Sequence, residues 1–198
     1  MQLRPKTGNS IAEFAVVISL MAILIGAGQV RFSQSTEQGK TKKSAETINK
    51  IIMAANNFYL DKNLEEGIGR FPGQDKWNQN VPSEAGYDSL GAALAHINDW
   101  VSYTNTNTSS WGQNWVSVFG KENAKARILG EHSTKIQNDD SGSKVGQAEW
   151  AEYIDVMKNP FQDGHYIYTV IGGNEYRRPT IIVTDFYQPA AEYVVLQP

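Results

Sequence analysis

Residues 6–28 read KTGNSIAEFAVVISLMAILIGAG, and from Ile11 to Ala27 the only ionisable side chain is Glu13. No other stretch of the chain limits its fold so strongly. A helix needs about 20 apolar residues to cross the hydrocarbon core of a bilayer, and Ser10 to Val30 roughly supplies them. Apolar residues fill every face, so no stripe marks a side that packs in a core. A carboxylate at the centre of such a helix costs about 2.5–3.5 kcal/mol on insertion scales. Three ordinary readings compete: a buried core helix, a plain membrane anchor, and a removable secretory signal with Gly26, Ala27 and Gly28 as a small-residue cleavage site. None of the three uses Glu13.

The preceding residues, MQLRPKTG, form a short basic segment with Arg4 and Lys6 that ends in Gly8. Together the two stretches resemble the N-terminus of type IV prepilins and type II secretion pseudopilins. In that family a basic leader ends in glycine, and an apolar helix follows with glutamate as its fifth residue. Here Gly8 ends the leader, Asn9 begins the mature chain and Glu13 is fifth; Ile11, Phe14, Val16, Val17, Ile18, Leu20, Ile23, Leu24 and Ile25 supply the apolar helix. Asn9 stands where phenylalanine or another apolar residue is usual, and Ala12 where a larger aliphatic residue is common.

The resemblance implies a sequence of events. A prepilin peptidase cuts between Gly8 and Asn9 on the cytoplasmic side, and the new amino terminus is a candidate for methylation. The helix is retained as a single pass in the bacterial inner membrane, against lipid. An assembly ATPase and its inner-membrane platform then draw the subunit into a helical filament, periplasmic or at the cell surface, with copies of itself and other pilin-like subunits. Glu13 and the Asn9 amine are the expected assembly pair. The carboxylate lies near the positive end of the helix dipole, and pairing offsets the cost of burying both charges.

Past the apolar run, Ala45, Ile48, Ile52, Ala55 and Tyr59 recur at three- and four-residue steps, with Ile51 and Phe58 widening the stripe. That pattern predicts an amphipathic helix packed on something. No proline lies between Thr7 and Phe71, so one helix is expected from about Ser10 to Leu64, on the order of 80 Å at 1.5 Å per residue. Gly67, Gly69, Pro72 and Gly73 end it. Asp88 or Ser89 caps a second helix with Leu90, Ala93, Leu94, Ile97 and Val101 on one face. Residues 114–119 read as a short strand and 147–157 as a short helix through Trp150, Ile154 and Met157. YIYTVI (166–171), PTIIVTDF (179–186) and EYVVL (192–196), joined by short links that include Gly172, Gly173 and Asn174, predict an antiparallel meander.

The expected fold is therefore α+β: a long N-terminal helix, transmembrane in its first half, packed on a C-terminal antiparallel sheet. Its divisions are a leader at 1–8, a transmembrane assembly helix at 9–30 and a head at 31–198, with the helix running to about 64 and the sheet at about 165–197. This is also the architecture of pilin heads. Asn159-Pro160-Phe161, followed by Gly164 and Tyr166, is similar to the turn before the sheet in pseudopilins, with Gln162 where glycine is usual.

Other chemistry finds little support. A net charge of −3 and pI near 5.6 give no electrostatic case for nucleic acid. His96, His132 and His165 lack metal-ligand spacing, and no nucleophile elbow or phosphate loop occurs. Asp139 and Asp140 offer oxygens to calcium but read as solvated acids in a Ser/Gly loop. Major pseudopilins carry a late calcium loop; GGNEYRRPT in that region has the single acid Glu175 beside Arg177 and Arg178. Asn107-Thr108-Ser109 matches a glycosylation triplet. The five tryptophans, Trp77, Trp100, Trp111, Trp115 and Trp150, read as core, with sugar contact as the alternative. The chain has no cysteine, which leans towards a pseudopilus, since many pilins staple their C-terminal loop. The expected role is structural, with no enzyme activity and no cofactor; the second reading is a secreted periplasmic or extracellular binding protein with a removable signal peptide.

Overall fold

A computed structural model describes residues 10–100, 112–121, 123, 125–126, 136, 143–161 and 164–198, with side chains from Ser35 onward. Contacts divide the chain into two compact units, Met1–Lys40 and Thr41–Pro198. The boundary falls inside the first helix, α1 (Ser10–Glu66, 57 residues).

Within the second unit α1 presents most of the stripe that its periodicity predicts, centred on Ile51 and Ala55, with Ala45 and Ile52 only half-buried at its side and Ala54 added to it. Ile48, Ile51, Ala54, Ala55, Phe58 and Tyr59 are buried. Burying each large apolar side chain contributes about 1.5–3 kcal/mol. The helix ends at Gly67, whose φ of 80° is a left-handed conformation that suits glycine and stops the helix. Among the described residues no helix is long and apolar enough to cross a membrane. That finding overturns the single-pass inner-membrane placement and, with it, the transmembrane first half of the expected helix. Where its side chains are described, α1 carries Glu37, Lys40, Lys42, Lys43, Glu46 and Lys50 within four turns, and its apolar stripe is spent on the head's own core.

The sheet has four antiparallel strands in the order β1 (Val116–Ser117), β2 (Tyr166–Ile171), β3 (Thr180–Asp185) and β4 (Tyr193–Leu196). β2 and β3 pair along their full lengths, from Tyr166 opposite Asp185 to Ile171 opposite Thr180. Every residue of both strands is buried, which explains their near-continuous apolar character. Tyr166, Tyr168, Val170, Ile181 and Val183 join a core with Ile48, Ile51, Ala55, Tyr59 and Trp150. Ile167, Ile171 and Ile182 point the other way, into a second core with Ala93, Ile97, Trp100, Trp115 and Phe186. The central strands are thus covered on both faces.

The second cover comes from α2 (Leu90–Asp99). Ser89 is its N-cap: the hydroxyl accepts the Ala92 N–H at 3.2 Å. Ala93 and Ile97 are buried as expected, while Val101 lies outside the described residues. A third helix, α3 (Gly146–Ala151), is shorter than the 147–157 prediction. Trp150 is buried on it, but the chain then leaves the helix because Tyr153 turns to α1. Its hydroxyl donates to Asp61 at 2.7 Å and its ring meets Phe58 edge-on.

The outer edge of β2 is closed in two places. β1 pairs with Tyr168 and Ile167, and farther along Val81 exchanges two backbone hydrogen bonds with Val170, at 2.9 and 3.0 Å. β1 is only two residues long because a 3-10 turn at Gly112–Asn114 precedes it and sends Trp115 into the second core.

Candidate functional site

The residues that the sequence singles out for assembly sit at the start of the chain. Glu13 falls in the first turn of α1, where the helix dipole favours a carboxylate. Gly8 and Asn9 lie outside the described residues, and so does any pairing of the Asn9 amine with Glu13. Asp139, Asp140, Trp111, His132 and the 107–109 triplet also fall outside them. Among the described residues no three His, Cys, Asp or Glu side chains gather where they would hold a metal ion.

Three polar constellations in the head were not legible from the sequence. The first fastens α1 to the end of β3. Asp185 is fully buried, and its Oδ2 accepts from Ser44 Oγ at 2.6 Å and Asn159 Nδ2 at 2.8 Å, while Oδ1 accepts the Tyr187 N–H at 2.9 Å. Burial pushes the Asp185 carboxyl above the ordinary range, and these hydrogen bonds oppose it. Glu192 packs nearby with both carboxylate oxygens buried; burial pushes it upward, the neighbouring Ser44 hydroxyl, which donates to Asp185, opposes this, and the Asp185 charge adds to the rise. No cation pairs with either acid among the described residues. Asn159, read in the sequence only as part of a turn, is a working member of this corner: its Oδ1 also accepts the Phe161 N–H at 2.8 Å. Gly164 packs directly against the Asn159 amide, leaving no room for a Cβ.

The second constellation is a buried serine–histidine pair. Ser117 Oγ and His165 Nε2 are 2.6 Å apart. His165 Nδ1 faces the Ala126 carbonyl at 3.4 Å, so Nδ1 carries the proton and Nε2 accepts from the Ser117 hydroxyl. Burial lowers the His165 pKa to about 4. The spacing is that of a nucleophile and its base, but Ser117 is 0% and His165 1% exposed. A substrate cannot reach either atom, so the pair is structural.

The third constellation is an ion-pair clasp. Arg70, its side chain 3% exposed, meets Glu149 at 2.8 Å and Glu66 at 3.1 Å, donates to the Gln74 carbonyl at 3.0 Å and lies over the Phe58 ring at 5.2 Å. Glu149 also accepts the Gly73 N–H at 2.7 Å. The clasp joins the end of α1, the following loop and α3.

On the surface, the β2–β3 hairpin tip and the loop carrying Trp77 enclose a groove of about 490 Å³, lined by Ile68, Trp77, Asn174, Glu175, Tyr176, Arg177 and Arg178. Gly172 and Gly173 let the two segments meet. A Cβ on Gly173 would lie 2.5 Å from the Trp77 ring, and the Gly173 N–H donates to the Trp77 carbonyl at 2.9 Å. Of the five tryptophans, Trp100, Trp115 and Trp150 are buried as expected; Trp77 is half-buried and lines this groove. The adjacent YRR triplet is the signal that would have marked it. No protein-family profile, no curated protein and no solved structure matches the chain.

Proposed function

We propose that this chain is a structural subunit of a filament of the type IV pilus or type II secretion pseudopilus kind, and that it assembles through the N-terminal part of α1. The observation that carries the reading is a 57-residue helix whose later turns pack on an antiparallel sheet while residues up to Lys40 form a separate contact unit. The Gly8, Asn9 and Glu13 pattern gives the first unit a cleavage point and a charge to pair with partners. Copies of the same chain and related subunits are the partners, with a prepilin peptidase and an assembly ATPase and platform acting on them. No membrane placement is part of this reading.

The role of Glu13 is register. An unpaired buried charge is strongly disfavoured, so a stagger that brings Glu13 of one subunit to the Asn9 amine of its neighbour is the low-energy one. Mass spectrometry of the mature protein tests the cleavage: the expected first residue is Asn9, and a chain starting near Gln29 would support the secreted binding protein instead. Co-expression of tagged Glu13→Gln or Glu13→Val subunits with the parent tests assembly. Cleavage is expected to persist and incorporation into filaments to drop; equal incorporation of Glu13→Val removes Glu13 from assembly.

A further inference from the structure

We infer that the groove between the β2–β3 hairpin tip and the Trp77 loop binds an acidic sugar, with the two guanidinium groups taking its carboxylate and the aromatic rings taking its ring face. The inference does not rest on the filament reading, because every residue involved belongs to the head.

The tip is a built structure. Asn174 and Arg177 bridge it with hydrogen bonds of 2.8 and 3.2 Å, and the Asn174 side chain accepts the Tyr176 N–H at 2.9 Å. This closed turn holds Tyr176 94% exposed. A large aromatic ring kept in water on a fixed turn gains nothing for the fold, yet it offers a flat apolar face at low entropic cost on binding. Trp77 provides a second ring, fixed by its contact with Gly173.

The charge of the groove points to the ligand's own charge. Neither Arg177 nor Arg178 forms an ion pair among the described residues, although Glu175 lies two and three positions away. The Arg177 Nε–H is buried with no acceptor. That edge of Arg177 is closed to a ligand, so it is the exposed Arg178 guanidinium, with the outer nitrogens of the half-buried Arg177 beside it, that a planar carboxylate meets through paired charge-assisted hydrogen bonds. Asn174 adds amide donors and an acceptor at the same rim, suited to ring hydroxyls. The groove volume falls within the roughly 300–1,000 Å³ of small-ligand sites, enough for one or two sugar units.

Other anions fit less well. Nucleic acid binding takes a basic stripe that tracks many phosphates, whereas this chain is net −3 and the groove offers two cations beside one acid, Glu175. An acidic peptide would meet the arginines but makes no use of two ring faces.

The test is titration of the full chain with trigalacturonate, followed by calorimetry or by tyrosine and tryptophan fluorescence. Saturable binding is expected, with neutral galactotriose at least roughly tenfold weaker, the scale of losing one charge-assisted hydrogen bond. Arg178→Gln and Tyr176→Ala are each expected to weaken trigalacturonate binding by roughly tenfold or more, and because both side chains are exposed the fold is retained. Equal binding of the neutral sugar, no saturation at millimolar trigalacturonate, or undiminished binding by both variants overturns the inference. Equal or tighter binding of a single-stranded oligonucleotide or of oligoglutamate also overturns it, in favour of a general anion site.

Discussion

The buried His165 makes a quantitative claim about acid. In the unfolded chain its imidazole titrates near 6.5; in the fold burial holds it at about 4. Between those values the unfolded state binds a proton that the folded state refuses, so stability falls as pH falls through this window. The full difference, about 2.5 units, corresponds to about 3 kcal/mol once the pH is below 4; at pH 5 the loss is about 2 kcal/mol. The geometry supplies the reason. Protonation would turn Nε2 into a donor facing Ser117 Oγ at 2.6 Å, and the hydroxyl hydrogen would then need another acceptor in a closed core. Urea unfolding followed by tryptophan fluorescence, at intervals from pH 7.5 to pH 5, measures the wild type against His165→Gln. The substitution lowers stability at every pH, but the informative quantity is the difference in slope, since other titrating groups are common to both proteins. The gap between the two is expected to narrow by about 2 kcal/mol from pH 7.5 to pH 5. Parallel curves, or a His165 resonance that titrates near 6.5 in the folded protein, would refute the burial argument.

Asp185 and Glu192 act in the opposite sense. Both carboxyls are raised in the fold, so they lower stability as pH rises above the unfolded carboxylate range near 4; in Asp185→Asn part of that downward slope towards neutral pH is expected to vanish, as urea titration at pH 4.5 and 7 will show. Arg70→Ala leaves Glu149 half-buried without its cation and is expected to cost about 3–5 kcal/mol, with Arg70→Ala/Glu149→Ala costing less than the sum of the single changes; a loss below about 1 kcal/mol would mean the clasp contributes no more than a surface pair. Residues 31–198 are expected to unfold in one cooperative transition, because Ile48, Ile51 and Phe58 keep their partners on the sheet; a broad, non-cooperative melt would show that the head needs the earlier part of α1.

Periodicity and turn chemistry located the elements well, and for identifiable reasons. The stripe through Ile48, Ile52, Ala55 and Tyr59 is local information, and so are the Gly67 stop, the Ser89 cap and the Gly172-Gly173 turn. The strands at 166–171 and 180–185 could be read because β-branched and aromatic residues run between turn signals. What could not be read depends on which distant residues meet. Ser44 and Asp185 are 141 positions apart, and Arg70 and Glu149 are 79 apart, so neither pair leaves a spacing to recognise. The same holds for α3, which its apolar pattern extends to Met157 but which Tyr153 ends by bonding Asp61. The membrane placement rests on the apolar run from Ser10 to Val30 alone; among the described residues no helix is long and apolar enough to cross a membrane.

The 141 positions between Ser44 and Asp185 also set an order of events during synthesis. The buried face of α1 is translated well before the strand that receives it, which follows 141 residues later. At about 5–20 residues per second, that face waits roughly 7–28 s for its partner. Helical turns form in well under a microsecond to a microsecond, so α1 is ready long before its sheet exists, and the chain spends its synthesis with a formed but uncovered apolar stripe. Closure is then a late, non-local event, of the kind that folds slowly. A nascent chain stopped before residue 180 has its helix but none of β3 to cover it, and chaperone retention or aggregation is the fate its architecture assigns.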